Sequence, residues 1–191
     1  IAASTTSLPE APGGARNWDY RYCWMRDTYY ILTAFNNIGH FEEMERYFHY
    51  IANISTKVKD KYQPLYGISG ASELVEHELP LAGYLGNQPV RIGNDAYTHI
   101  QNDVYGQVLV ALLPLFVDSR FLDPERTHPE RLVPEALRLI EATMDQPDAG
   151  LWEFRNLAQY HCYTYLFHWA GAHAAQQVAR SLHRPDLEAD E

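Results

Sequence analysis

Only two cysteines occur in the 191 residues, Cys23 and Cys162, and they offer neither a disulfide framework nor a Cys-x-x-Cys metal pattern. A reducing, cytoplasmic compartment is the simpler expectation, although two thiols can in principle pair. No apolar run approaches the ~20 residues of a membrane-spanning helix. Positive charge is scarce as well: 15 Lys and Arg stand against 25 Asp and Glu, for a net charge of −10. Phosphate-binding faces need clustered Lys and Arg, so this balance argues against nucleic acid and equally against an anionic membrane surface. Residues 1–7 lack the basic and long apolar regions of a signal peptide, but the chain reads as beginning mid-protein, which makes that absence uninformative. The nine histidines are scattered without a His-x-x-x-His pair, so no metal is expected, and no pattern calls for a cofactor.

What the sequence does hold is apolar content of 46%, enough for a real core, and an aromatic fraction of 13% with fourteen Tyr and four Trp. The rings concentrate in residues 17–27, where Trp18, Tyr20, Tyr22 and Trp24 alternate with Asp19, Arg21 and Cys23, and Arg26-Asp27 closes the run. Period-two alternation predicts an extended segment with one aromatic and one polar face. One reading is a half-buried strand packing a core. The density of charge favours another, because these carboxylates and guanidiniums are costly in a core unless paired. Rings beside fixed carboxylates suit a sugar, which has an apolar C–H face and a rim of hydroxyls.

Along the rest of the chain the expected elements are helical. Tyr30, Ile31, Ala34, Phe35 and Ile38 predict a helix over 27–38 that Gly39 ends, and Phe41 to Ile54 give the spacing of a second over 41–58. Residues 59–100 are rich in Pro and Gly and read as a long functional loop, with Glu73, Glu76 and Glu78 in a solvated or salt-bridged short helix. A third helix spans 100–117 with Pro114 as a kink or early end, a fourth runs from Pro134 to Met144, and the last covers 160–182. Residues 118–131 read as a polar loop and 184–191 as a frayed acidic tail. No β-sheet is expected. Gln101 and Asp103 open the third helix, where a carboxylate suits the helix dipole as well as it would suit a sugar. Glu153 follows the breaker stretch Asp145–Gly150 and is flanked by Leu151, Trp152 and Phe154. Such apolar neighbours would keep a carboxylic acid protonated at a rim, although a Glu in the first turn of a helix is the plainer alternative.

With Arg16 in front, residues 17–27 resemble the Arg-Asn-Trp-Asp-Tyr-Arg-Tyr-Cys-Trp-x-Arg-Asp signature of the glucoamylase family, glycoside hydrolase family 15. Thr-Ser-Leu-Pro-Glu-x-x-Gly-Gly ahead of it, Leu65–Ile68, Pro89–Asn94 and Gln-x-Asp-Val-Tyr-Gly at 101–106 are similar to the family too, as is Gly150-Leu151-Trp152-Glu153. The resemblance implies an all-α fold, about half of an (α/α)6 barrel of paired helices with long functional loops, and a partial catalytic domain over 1–191. It implies inverting hydrolysis of an α-glucan or α-glucoside with Glu153 as general acid. Leu151 and Trp152 would line the sugar pocket, Arg26 and Asp27 would hydrogen-bond the terminal glucose, and Trp24, Gln101 and Asp103 join them as candidate substrate contacts.

The pattern departs from the family at 159–169, where Arg-His and Ser-Lys pairs of many bacterial relatives are replaced and only Trp169 agrees. Maltooligosaccharide, dextran and trehalose therefore all remain as substrates. Nothing after Glu153 matches the family's base-bearing segment, and Glu188 and Glu191 lie in a polar tail, so the base is expected outside these residues. The partner expected is an oligosaccharide, and apolar helix faces left open would drive self-association. The rival class is a non-catalytic carbohydrate-binding or structural helical module.

Overall fold

The computed structural model describes residues 8–58, 60–121, 131–154 and 156–187. The expectations for the first residues, for most of the 118–131 loop and for the end of the acidic tail lie outside that set. Two compact units divide the chain: one runs through Trp24 and takes up again at Gln63–His99, the other comprises Met25–Tyr62 and the chain from Ile100.

The first unit corrects the expectation of no sheet. It holds two small antiparallel pairs, β1 (Cys23–Trp24) with β2 (Leu65–Tyr66), and β3 (His77–Leu79) with β4 (Val90–Ile92). Glu78 lies opposite Arg91 in the second pair, and Glu73 and Glu76 lie in the irregular backbone that leads into β3, so the predicted short helix is absent. Salt-bridging was the correct part of that reading, since the Arg91 guanidinium pairs with Glu76 at 3.1 Å and Glu78 at 3.2 Å and stacks 4.6 Å from the Trp18 ring. Short pairs of two or three residues leave no periodic signal to read, which is why the 59–100 loop concealed β2, β3 and β4; β1 lies at the end of the aromatic run expected to be extended.

The second unit is helical, with helices packed in pairs in a manner consistent with part of an α/α toroid. Its elements are α1 (Met25–Asn37), α2 (Glu42–Ser55), α3 (Asp103–Leu112), the four-residue α4 (Pro114–Val117) that begins where Pro114 was expected to interrupt, α5 (Leu132–Thr143) and α6 (Cys162–Ser181). α3 is buried on nearly every side, as its all-round apolar sequence requires, and it packs against α1, α5 and α6. The face of α1 differs from expectation. Met25, Thr28 and Leu32 are its buried side, while Tyr30 and Ile38 of the predicted stripe are exposed. The helix is apolar on two sides, and periodicity alone does not choose between them.

α3 and α6 approach closely enough that only glycine fits at the crossing. A Cβ at Gly106 would lie 1.8 Å from the Phe167 carbonyl oxygen, and one at Gly171 would lie 2.5 Å from the Gly106 Cα. Gly106→Ala should therefore cost ~1–3 kcal/mol or more by overpacking, because the obstructing atoms are backbone. Urea denaturation of the variant beside the unsubstituted protein measures this.

Candidate functional site

The buried end of α1 places Arg26 against the start of α3, where Asp103 receives it as a two-pronged pair: Nε donates to Oδ2 at 3.0 Å and Nη2 to Oδ1 at 2.8 Å. Asp103 is fully enclosed and Arg26 almost so. Burial alone would lower the guanidinium's pKa, but the Asp103 carboxylate outweighs it and holds the charge above its ordinary range. The remaining donors of Arg26 turn to the loop after α5, reaching the Leu151 carbonyl at 3.2 Å and the Gly150 carbonyl at 3.4 Å. This loop carries Glu153, whose Oε1 lies 3.5 Å from Arg26 Nη1 and accepts from Gln101 Nε2 at 3.1 Å. The structure thus brings together Arg26, Gln101, Asp103, Leu151 and Glu153.

Glu153 occupies the left-handed backbone region with φ of 55°. For a residue with a long side chain that conformation costs on the order of 1–3 kcal/mol and persists only where the surroundings impose it. Here the Glu153 amide donates to the Gly150 carbonyl at 3.2 Å and the Phe154 amide to the Ala149 carbonyl at 3.1 Å, closing a tight turn. The result is a carboxyl aimed at Gln101 and Arg26, with 35% of the side chain still open to solvent. Burial pushes this carboxyl up, and Asp27 and Asp103 add to the rise. The Gln101 hydrogen bond and the Arg26 charge pull the other way without cancelling it. Leu151 and Phe154 are exposed at the loop tip, and Trp152 is 79% exposed. Large apolar side chains held out on a tight loop are a common mark of a binding surface.

Asp27 is exposed in the first turn of α1. Trp24 belongs to the first unit and has a different character: it is 7% exposed and packs with Leu65, Leu74 and Ala96. Its apolar neighbours make this a core position, the half-buried-strand alternative for the aromatic run. Asp19 is likewise a structural group. Fully buried, it receives Arg21 through two 2.8 Å bonds and Tyr22 at 2.9 Å, and these partners overcome burial to keep its carboxyl below the ordinary range.

Several residues at the site had no distinguishing signal in the sequence. Tyr163 lies under the Arg26 guanidinium, 5.7 Å from it, and its hydroxyl accepts from Gln107 Nε2 and shares a 2.8 Å hydrogen bond with Tyr30. Burial and the Tyr30 contact raise its pKa well above the usual tyrosine range. Asp148, within the stretch read as a breaker, makes buried hydrogen bonds at the base of the loop that carries Glu153. No group of three or more His, Cys, Asp or Glu among the described residues could hold a metal, and neither cysteine is in a disulfide.

With this geometry in hand, comparison with known proteins is informative. Residues 1–188 match the sequence model of the glycosyl hydrolases family 15. A trehalase of Thermoplasma acidophilum is 36% identical over 187 residues, covering 95% of this chain and 31% of that protein. A trehalase of Mycobacterium tuberculosis is 39% identical over 185 residues, covering 94% of this chain and 26% of that protein. The chain therefore spans about a third or less of the length of these curated relatives. No solved structure matches it. The relatives correct the expectation of a glucoamylase-type enzyme, since they are described as trehalases. The physical reason is visible in the aromatic signature: Asp19 and Trp24 are buried within the fold and Arg26 holds a loop, so the signature by itself does not choose between a glucoamylase and a trehalase.

Two outcomes are expected of this site. Asp103→Ala leaves a buried guanidinium without its partner and should cost ~3–5 kcal/mol, read by chemical denaturation. The second concerns pH. Because the folded state raises the Glu153 carboxyl, its contribution to stability is fully present below the unfolded value near 4.5 and is lost as pH rises through the folded value. Glu153→Gln should therefore gain stability relative to the unsubstituted protein between pH 4 and pH 7, and paired urea titrations at the two pH values check the sign.

Proposed function

Since this chain belongs to the glycosyl hydrolases of family 15, we propose that it is the acid-bearing part of an inverting glycosidase that cleaves the α-glucosidic bond of trehalose or a similar small α-glucoside. The observation that carries the reading is Glu153: a carboxyl raised by burial, fixed by Gln101 and Arg26, yet open on one side at an apolar loop tip. A general acid needs this combination, for it must be protonated near neutral pH and still reach the leaving oxygen. Within the proposal Asp27 accepts from sugar hydroxyls, Leu151 and Trp152 cover the sugar's apolar face, and Arg26, Gln101 and Asp103 hold the acid and its loop in place.

The fold proposed for the intact catalytic domain is an (α/α)6 barrel, of which these paired helices form about half. Inversion requires a second carboxylate ~6.5–9.5 Å from the acid to activate water. Asp103 is engaged by Arg26 through both oxygens, so the base is proposed to come from outside these residues. The short share of the relatives' length that the chain covers supports this. Exposed Leu166 and Trp169 on α6 support the companion proposal that the chain by itself self-associates.

Inversion at one carbon of α,α-trehalose converts the attacked glucose to the β anomer and leaves the departing glucose α. NMR of the intact enzyme's early products should show the two anomers in equal amounts; α-glucose alone would exclude inversion. Glu153→Gln should lower turnover ~10²–10⁴-fold with binding retained. Near-normal turnover would remove Glu153 from the mechanism.

A further inference from the structure

One buried carboxylate touches all three segments that meet around Glu153. Asp148 is 1% exposed. Its Oδ1 accepts from the Gly150 amide at 3.0 Å, and its Oδ2 accepts from the Asn102 amide at 2.9 Å and the Thr164 hydroxyl at 2.9 Å. Each partner stands beside a residue of the site. Asn102 lies between Gln101 and Asp103 at the start of α3, Thr164 follows Tyr163 in the first turn of α6, and Gly150 begins the tight turn that ends at Glu153. The backbone reinforces the same junction. The Ala149 amide donates to the Ile100 carbonyl at 2.9 Å, and Asp148 and Gln159 exchange backbone hydrogen bonds that close the loop at its base. Gly150, with φ of 65°, lies against the His161 ring, which a Cβ there would approach to 2.4 Å.

We infer that Asp148 is the positioning residue of the acid loop: it clamps Gly150 to the starts of α3 and α6, so that Glu153 stays between Gln101 and Arg26 instead of turning out to solvent. The inference rests on the reading of Glu153 as the acid. A carboxylate suits the junction because three donors converge there and an ionised carboxylate has only acceptors. An amide in its place would always turn an N–H toward one of the two backbone amides. The Thr164 hydroxyl can rotate and accept, whereas a backbone amide cannot. The charge also lies beside the N-terminus of α3, where the helix dipole favours it.

The first readout is the titration of the Glu153 carboxyl, followed by carbon-detected NMR. That carboxyl faces Arg26 and Asp27 of α1 and Gln101 and Asp103 at α3, none of which is altered by substituting Asp148. In Asp148→Asn the loop is released, water reaches Glu153, and its titration should fall toward the ordinary glutamate range. Thr164→Val removes the hydroxyl tie to α6, leaves His161 Nε2 3.8 Å from Asp148 Oδ1 at the start of that helix, and should leave the titration raised. An unchanged Glu153 titration in folded Asp148→Asn, or an equal fall in both variants, overturns the inference. The unsubstituted protein gives an independent check should Asp148→Asn not fold: the Gly150 and Asn102 amides should be protected from hydrogen exchange as strongly as the interior of α3, and rapid exchange at Gly150 overturns the clamp. In the intact enzyme, Asp148→Asn should lower kcat by ~10²-fold, the scale of a misplacement of about 1 Å, with a smaller change in KM. Titration and exchange do not require turnover. A protein that cleaves no α-glucoside would remove the functional reading while leaving the clamp to be judged on its own.

Discussion

A guanidinium with almost no water around it must be neutralised by the protein, and Asp103 does this for Arg26 from the first turn of α3. Such a pair is poor evidence of stability in itself, because removing both charges from water costs about as much as their attraction returns. Its value lies in what the remaining donors of Arg26 can then do. They bind the carbonyls of Gly150 and Leu151, so a loop whose large apolar side chains stay exposed is fixed by charge-assisted hydrogen bonds. Arg26 in this way joins α1, α3 and the loop of Glu153, and it shares the placement of that residue with Asp148.

Around Glu153 two tendencies oppose one another. Gln101 and Arg26 favour the ionised carboxylate, whereas burial and the negative charges of Asp27 and Asp103 favour the acid. Had Arg26 lacked Asp103, its full charge would face Glu153 and hold it ionised. With Asp103 taking two of its donors, the guanidinium still orients the carboxyl but dominates it less. The same pairing thus fixes the geometry and moderates the electrostatics.

The five longer helices were legible in the sequence because each has apolar residues at helical spacing over ten or more positions, and the break at Pro114 followed from its missing amide. What was not legible had no period. β1 to β4 are too short to alternate, and α1 carries apolar residues on two sides, so Tyr30 and Ile38 were placed inside although they face out. Local wording pointed to Glu153, Gln101 and Asp103, which the fold brings together, but it did not show that the Glu153 carboxyl would meet Gln101 and Arg26 while its apolar neighbours face out. It gave no warning that Asp103 would be used up by Arg26. Asp148 was invisible for a different reason: in Gln146-Pro147-Asp148-Ala149-Gly150 an Asp is what any turn would contain, and only the three donors converging on it distinguish it. The aromatic run misled in part because an alternating pattern does not tell whether its rings meet a ligand or, like Trp24, the core.

The left-handed backbone at Glu153 bears on how this position can change over time. Glycine or asparagine adopts that conformation with less steric conflict than glutamate, a difference on the order of 1 kcal/mol. Folding alone therefore pushes residue 153 away from the side chain it has, and the buried carboxyl adds to that pressure at neutral pH. Opposing the drift are the carboxyl's contacts with Gln101 and Arg26 and, in the proposed function, the requirement for its chemistry. A descendant relieved of that requirement would be expected to lose Glu153 early and become more robust as it did so, while Arg26 and Asp103, which the fold itself needs, would outlast it.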